Sequence, residues 1–295
     1  MKVTDPARRA HLVTLGLVAL TALLIGTNYV ALKEALPHTT PLVLTCLRVT
    51  IGAVTLGSVA RLRGERLPRD RAALASIFWV SLCISTISSG LLAEGVRQVS
   101  AGLAALLSAT MPLFAAVLAL VLLAERPHRL ALAGLAIGVV GAAVLASPAL
   151  DGRSSIRGIL TLLAGTFFWA LGVVVLKRRN PVVAPITLVA VQLGFSALCL
   201  WPVALAVDGI ASTEWSGALA VPTLWASIPA LAVPFTLMAT VVRRAPTVIA
   251  SSIAYLVPVF GLVAATLWRH ESFEPAELAG GALVVVGVVA VGWPR

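Results

Sequence analysis

The sequence predicts an all-α integral membrane protein with ten transmembrane helices arranged as two inverted five-helix repeats. Three observations predict it. First, the 295-residue chain is 59% hydrophobic, has a mean hydropathy of +1.01 and carries only 12% charged residues. A soluble domain carries about 25%, so this chain cannot cover a soluble surface and reads as membrane-embedded. Second, Lys and Arg are distributed unevenly among the connections. Third, a stretch of the first half recurs in the second.

A span needs about 20 apolar residues. Ten segments qualify, at roughly 11–33, 41–60, 73–93, 99–124, 130–148, 157–177, 183–206, 219–241, 247–268 and 276–293. Arg8 and Arg9 precede the first. It is too long for a signal-peptide core and lacks a clear cleavage site, so a retained helix is expected. The connections are short, and no extramembrane domain fits between them. Cys46, Cys83 and Cys199 lie far apart inside apolar runs and read as small core residues, not as a disulfide or metal set. The net charge of +10 reflects loop Lys and Arg; no basic domain exists to bind nucleic acid.

With the N-terminus cytoplasmic, the inner connections hold 16 of the 22 Lys and Arg residues, among them Arg61, Arg63, Arg66, Arg126, Lys177, Arg178 and Arg243. The outer ones hold five: Lys33, Arg97, Arg153, Arg157 and Arg269. This bias places both termini inside. The stretch Val96–Leu145 matches Val242–Val291 without a gap. Arg97 meets Arg243, Pro112 meets Pro258, Phe114 meets Phe260, Glu125 meets Glu271, Gly134 meets Gly280 and Gly141 meets Gly287. Earlier in the halves, Lys33 meets Lys177, Pro37 meets Pro181 and Pro41 meets Pro185, while Trp79 meets Trp225 and Ser81 meets Ser227. The expected division is residues 1–150 and 151–295. Five spans per half invert the second half against the first. Inverted repeats are a recurring construction of secondary transporters, with substrate near the midplane.

Polar and irregular positions within spans are the candidate site. Pro112 and Pro258 are matched kinks, either packing features or hinges beside a cavity. Helix 8 alone has Pro222, Pro229 and Pro234, so it should be the less regular of the matched pair with helix 3. Asn28 and Tyr29 in helix 1 either line a cavity or join helices. Trp79, Thr86 and Ser89 in helix 3 fall at helical spacing and could share one face. Ser108, Gln192, Ser252 and Tyr255 are further lining candidates. Trp79, Trp169 and Trp225 sit deep, as core or as cavity wall. Trp201, Trp215, Trp268 and Trp293 read as interface anchors. Arg48 is the one ionisable side chain well inside a span. It either pairs with helix carbonyls or binds a substrate carboxylate. Helices 5 and 10, rich in Gly and poor in polar groups, read as scaffold or as a weak dimer surface; monomer and weak dimer both remain open.

The 12 Asp and Glu residues and the four His residues lie in loops or at span ends. An intramembrane protease would need a Ser–His pair or metal ligands at depth. No Gly-rich phosphate loop is present. No cofactor and no metal are therefore expected, and an intramembrane enzyme is disfavoured. A non-transporting subunit would not need matched polar and proline positions in two halves. Glu125 and Glu271 are expected to pair with nearby Arg, or less readily to carry protons.

Gly26-Thr27-Asn28-Tyr29-Val30-Ala31 with Lys33 and Pro37, then Pro41 with Leu47-Arg48, resembles the first two helices of EamA-type transporters of the drug/metabolite transporter superfamily. Pro112 through Ala124-Glu125-Arg126, with Gly134 and Gly141, resembles that family's helix 4–5 region, and Pro258 with Glu271 repeats it. Ile25 departs from the Trp that the family often has there. The resemblance covers almost the whole chain. It implies a central cavity lined mainly by helices 1, 3, 4, 6, 8 and 9, alternating access, and export of small metabolites across a bacterial inner membrane. Within the family the chain is most similar to the YddG-like exporters of aromatic and other neutral amino acids. The resemblance leaves a nucleoside, flavin or drug-like solute as the alternative. The only other partner implied is membrane lipid.

Overall fold

A computed structural model describes residues 6–124, 129–150, 154–237 and 247–291. Every regular element among the described residues is helical. Among the described residues, eight helices are long and apolar enough to cross a membrane. The first two are α1 (Pro6–Ala35) and α2 (Pro41–Leu62). Next come α3 (Arg71–Gln98) and α4 (Ala101–Leu123). Then follow α5 (Arg129–Leu150), α6 (Ile156–Arg179), α7 (Pro185–Val207) and α8 (Gly217–Leu237). Two helices with shorter apolar stretches complete the order: α9 (Thr247–Arg269) and α10 (Pro275–Val291). The described residues of all ten predicted apolar segments thus fall mainly on helices.

The boundaries are written in local chemistry. Thr40 caps α2 by accepting from the Val43 amide, with Pro41 at the first helical position. Asp70 accepts from the Ala72 and Ala73 amides at the start of α3. Ser100 and Ser155 do the same for α4 and α6. Asn180 ends α6 in the left-handed region at φ 38°, which Asn tolerates better than most residues.

Three helices are interrupted. Leu82–Ser88 in α3 and Ile228–Ala232 in α8 are π-helical. They begin at repeat-matched positions, since 82 plus 146 is 228. The greater irregularity expected of α8 from its prolines is not observed. Pro229 does sit in the α8 segment, but the longer π segment belongs to α3 and contains no proline. Within it the Thr86 and Ser88 hydroxyls have no hydrogen-bond partner among the described residues, and just beyond it Ser89 donates to the Ile84 carbonyl. The α4 helix breaks at Ala109–Thr110, with Pro112 in the first turn of its second part. Its match Pro258 lies inside the continuous α9. The two prolines are therefore not structurally alike.

The closest packing pairs α5 with α10, α2 with α7, and α1 with α9, while α6 lies against α3 and α4. Glycine sets the first pairing. A Cβ on Gly141 would lie 2.7 Å from the Val284 backbone nitrogen, and one on Gly287 2.6 Å from the Gly134 carbonyl oxygen. The glycine faces of α5 and α10 are thus spent on each other within one chain. On α1, a Cβ on Gly26 would lie 2.8 Å from the Gly261 nitrogen of α9. That contact draws α1 into the centre of the bundle.

Candidate functional site

Three consecutive residues of α1 point polar groups to three neighbours. Successive positions on a helix turn by about 100°, so this is a fan. Thr27 accepts from the Trp225 indole of α8 at 3.0 Å. Asn28 accepts from the Arg48 guanidinium of α2 at 2.7 Å. Tyr29, 2% exposed, meets the Ser108 side chain of α4. All three lie well inside the apolar stretch Gly16–His38. Polar groups at that depth are costly unless partnered, and here each has a partner on a different helix.

Arg48 also donates from Nε and Nη2 to the Ala226 carbonyl, at 3.4 and 3.3 Å. Ala226 lies two residues before the π segment of α8. The repeat-matched residue, Gln192 of α7, occupies the corresponding place against α3. Its Nε2 donates to Ser85 Oγ at 2.7 Å, inside the π segment. Ser81 donates to the Gln192 carbonyl at 2.5 Å, and Ser196 to the Ser85 carbonyl at 2.8 Å. A π turn weakens the local backbone ladder, and in lipid the affected groups need protein partners. Each of the two helices with a π segment is thus clasped by a polar side chain from a neighbouring helix. Of the two roles open to Arg48, carbonyl pairing is the one seen. Gln192 is buried at 2% exposure and bridges helices.

The remaining predicted residues are dispersed. Trp79 is 48% exposed and Ser89 half-buried, whereas Thr86 is buried and its hydroxyl has no partner among the described residues. The shared face expected for these three does not form, because the π segment resets the register between them. Ser89 bonds to the carbonyl of Ile84, five residues back. Ser108 is buried and bonds to the Ala104 carbonyl. Trp169 is half-buried against the main core cluster. Trp225 is 43% exposed. The side chains of Ser252 and Tyr255, and all of Glu125, Arg126, Arg243 and Trp293, lie outside the described residues. Trp201, expected at an interface, instead donates its indole N–H to Thr50 and helps join α7 to α2. A run of edge contacts, Phe114–Phe167–Phe168, links α4 to α6. The match of Phe114 with Phe260 was its only sequence signal.

The bundle end that holds Lys33 is cross-linked by charged side chains. Lys33 Nζ donates to the carbonyls of Val96, Arg97 and Val99, at the end of α3. There a cation complements the helix dipole. Glu271 accepts from the Ala101 and Gly102 amides, both at 3.0 Å, at the start of α4. Arg269 lies 3.3 Å from Glu271 and also pairs with Glu34. The expected pairing of Glu271 with an Arg therefore forms, and its larger role is to hold the α4 N-terminus. All residues from Ala101 to Thr110 are buried behind this network. No group of His, Cys, Asp and Glu among the described residues could hold a metal ion.

Apolar helices with interrupted members, braced at mid-depth by polar side chains, define a multi-pass membrane protein of the transporter type. The model of the EamA-like transporter family matches residues 12–147 and 156–293, and the chain belongs to that family. It is 27% identical to the uncharacterized transporter YvbV of Bacillus subtilis, over 93% of this chain and 90% of that one. It is 30% identical to a probable terminal-alkyne amino-acid exporter of Streptantibioticus cattleyicolor, over 84% of this chain and 82% of that one. A solved crystal structure shares the fold, with a TM-score of 0.68 at 18% identity, covering 94% of this chain and 95% of the other.

Proposed function

We propose that this transporter exports small neutral metabolites, chiefly aromatic and other neutral amino acids, across the bacterial plasma membrane by alternating access. In this reading ten spans form two inverted halves, residues 1–150 and 151–295, around a central cavity. The N- and C-termini are cytoplasmic and the Lys33 end faces outward. The network of Lys33, Glu271, Arg269 and Glu34 is then the closed outer gate. Lys177, the repeat match of Lys33, belongs to the inner one.

The observation that carries the reading is the polar fan on α1. Asn28 is half-buried at mid-helix, and beside it the Trp225 ring is partly exposed and anchored through Thr27. A polar donor next to an aromatic wall suits a solute with one polar end and one apolar end. An amino-acid exporter among the relatives supports the same substrate class. No carboxylate stands at mid-span to serve as a proton carrier, which favours facilitated movement.

A proteoliposome panel tests this. Aromatic amino acids, threonine, methionine, a nucleoside and a flavin are offered to the reconstituted protein. Aromatic amino acids are expected to move fastest. Selective movement of the nucleoside or flavin, with no amino-acid flux, would overturn the reading. Cysteine labelling checks the topology: position 33 is expected to react from outside and position 178 from inside.

A further inference from the structure

Arg48 is a cation that the described residues leave without an anion. It is 6% exposed, and its acceptors are one peptide carbonyl and one carboxamide oxygen. Removing a guanidinium from water is expensive, and neutral acceptors offset only part of that. Gln192 shows that a neutral side chain can clasp the matching helix. Clasping alone therefore does not account for a charge at residue 48.

The chemistry of arginine fixes the orientation of Asn28. A guanidinium only donates, so the amide atom facing it must be Oδ1. Nδ2, with its two N–H groups, points away from Arg48 and has no acceptor among the described residues. Asn28 is itself half-buried, and beside it the Trp225 ring is 43% exposed. The arrangement is a pair of donors, backed by a positive charge, next to an aromatic ring. A carboxylate would gain from both the donors and the charge, whereas a neutral carbonyl would gain chiefly from the donors.

We propose that Arg48 acts through Asn28 as a positioning and charge-selecting residue for the carboxylate of the solute. The site then takes amino acids and related aromatic carboxylates and discriminates against their amides. This rests on the export reading above and narrows it to carboxylate-bearing solutes.

The test uses matched ligands. Phenylpropionate and its amide are compared in binding to the full-length protein, followed by quenching of tryptophan fluorescence. L-Phenylalanine efflux is measured in parallel. The wild type is expected to prefer the carboxylate by about tenfold or more. Arg48→Gln should bring that ratio near unity and leave amide binding unchanged, Asn28→Ala should weaken both ligands and narrow the ratio, and Arg48→Lys should retain part of the preference. Asn28→Ala keeps the test open if Arg48→Gln does not fold. A purely structural Arg48 would weaken both ligands alike and leave the ratio intact, which overturns the inference. If phenylalanine does not move but the Arg48-dependent preference is present, the export reading falls and the inference stands. If phenylalanine moves and the wild type shows no preference, the inference falls and the export reading stands.

Discussion

The clasp on α3 and the clasp on α8 occupy matched places and differ in one respect. On α3 the bracing residue is Gln192, and every group around it is neutral and buried: Ser81 at 1%, Ser85 at 3% and Ser196 at 0%. Donors and acceptors close on one another within two helices. On α8 the bracing residue is Arg48, and its bonds run on to Asn28 of α1, which is only half-buried. The first arrangement consists only of neutral groups. The second leaves a charge uncompensated and an amide with unused donors. The first suits a role in the fold, and the second suits the carboxylate-selecting role proposed above.

Making the two clasps alike breaks the comparison in both directions. The largest effect is expected from Gln192→Arg. It places a cation among neutral side chains in a dry site, at a cost of several kcal/mol. Little folded protein should survive detergent extraction, as judged by size-exclusion profile. Gln192→Leu comes next. It strands the Ser85 hydroxyl and should lower stability by about 1–3 kcal/mol, seen as a lower melting temperature with solute selectivity unchanged. Arg48→Gln should do the reverse, keeping the melting temperature close to that of the wild type and lowering phenylalanine flux about tenfold, or ~1.4 kcal/mol. Trp225→Phe removes only the indole bond to Thr27. It should cost about 0.5–1.5 kcal/mol of binding, read as a modest rise in the half-saturating concentration. Collapse of the pH gradient should change efflux least of all, since no carboxylate stands at mid-span. Strict dependence on the gradient would reveal a coupling group elsewhere.

Much of the scaffold was legible in the sequence, because hydropathy, caps and glycine act locally. Thr40, Asp70, Ser100 and Ser155 begin helices as their side-chain chemistry requires. The glycines of α5 and α10 marked close contact, but not that each helix is the other's partner. The π segments were not legible. Proline is the usual marker of an irregular helix, and the longer segment, Leu82–Ser88, has none. Its signal was the density of hydroxyls from Ser81 to Ser89. That same segment scattered Trp79, Thr86 and Ser89, which straight helical spacing had grouped. The Arg48–Asn28 pair could have been found by depth. Asn28 lies seven residues before the end of α1 at Ala35, and Arg48 seven after the start of α2 at Pro41. Two polar residues equally far from one short connection lie at the same level in the membrane.

The most direct test of the account is phenylalanine efflux from proteoliposomes, comparing the wild type with a folded Asn28→Ala variant. The account predicts saturable efflux from the wild type, well above protein-free vesicles. It predicts a loss of about tenfold or more in the variant, together with a lowered melting temperature because Arg48 loses one acceptor. Equal efflux from both proteins would contradict it.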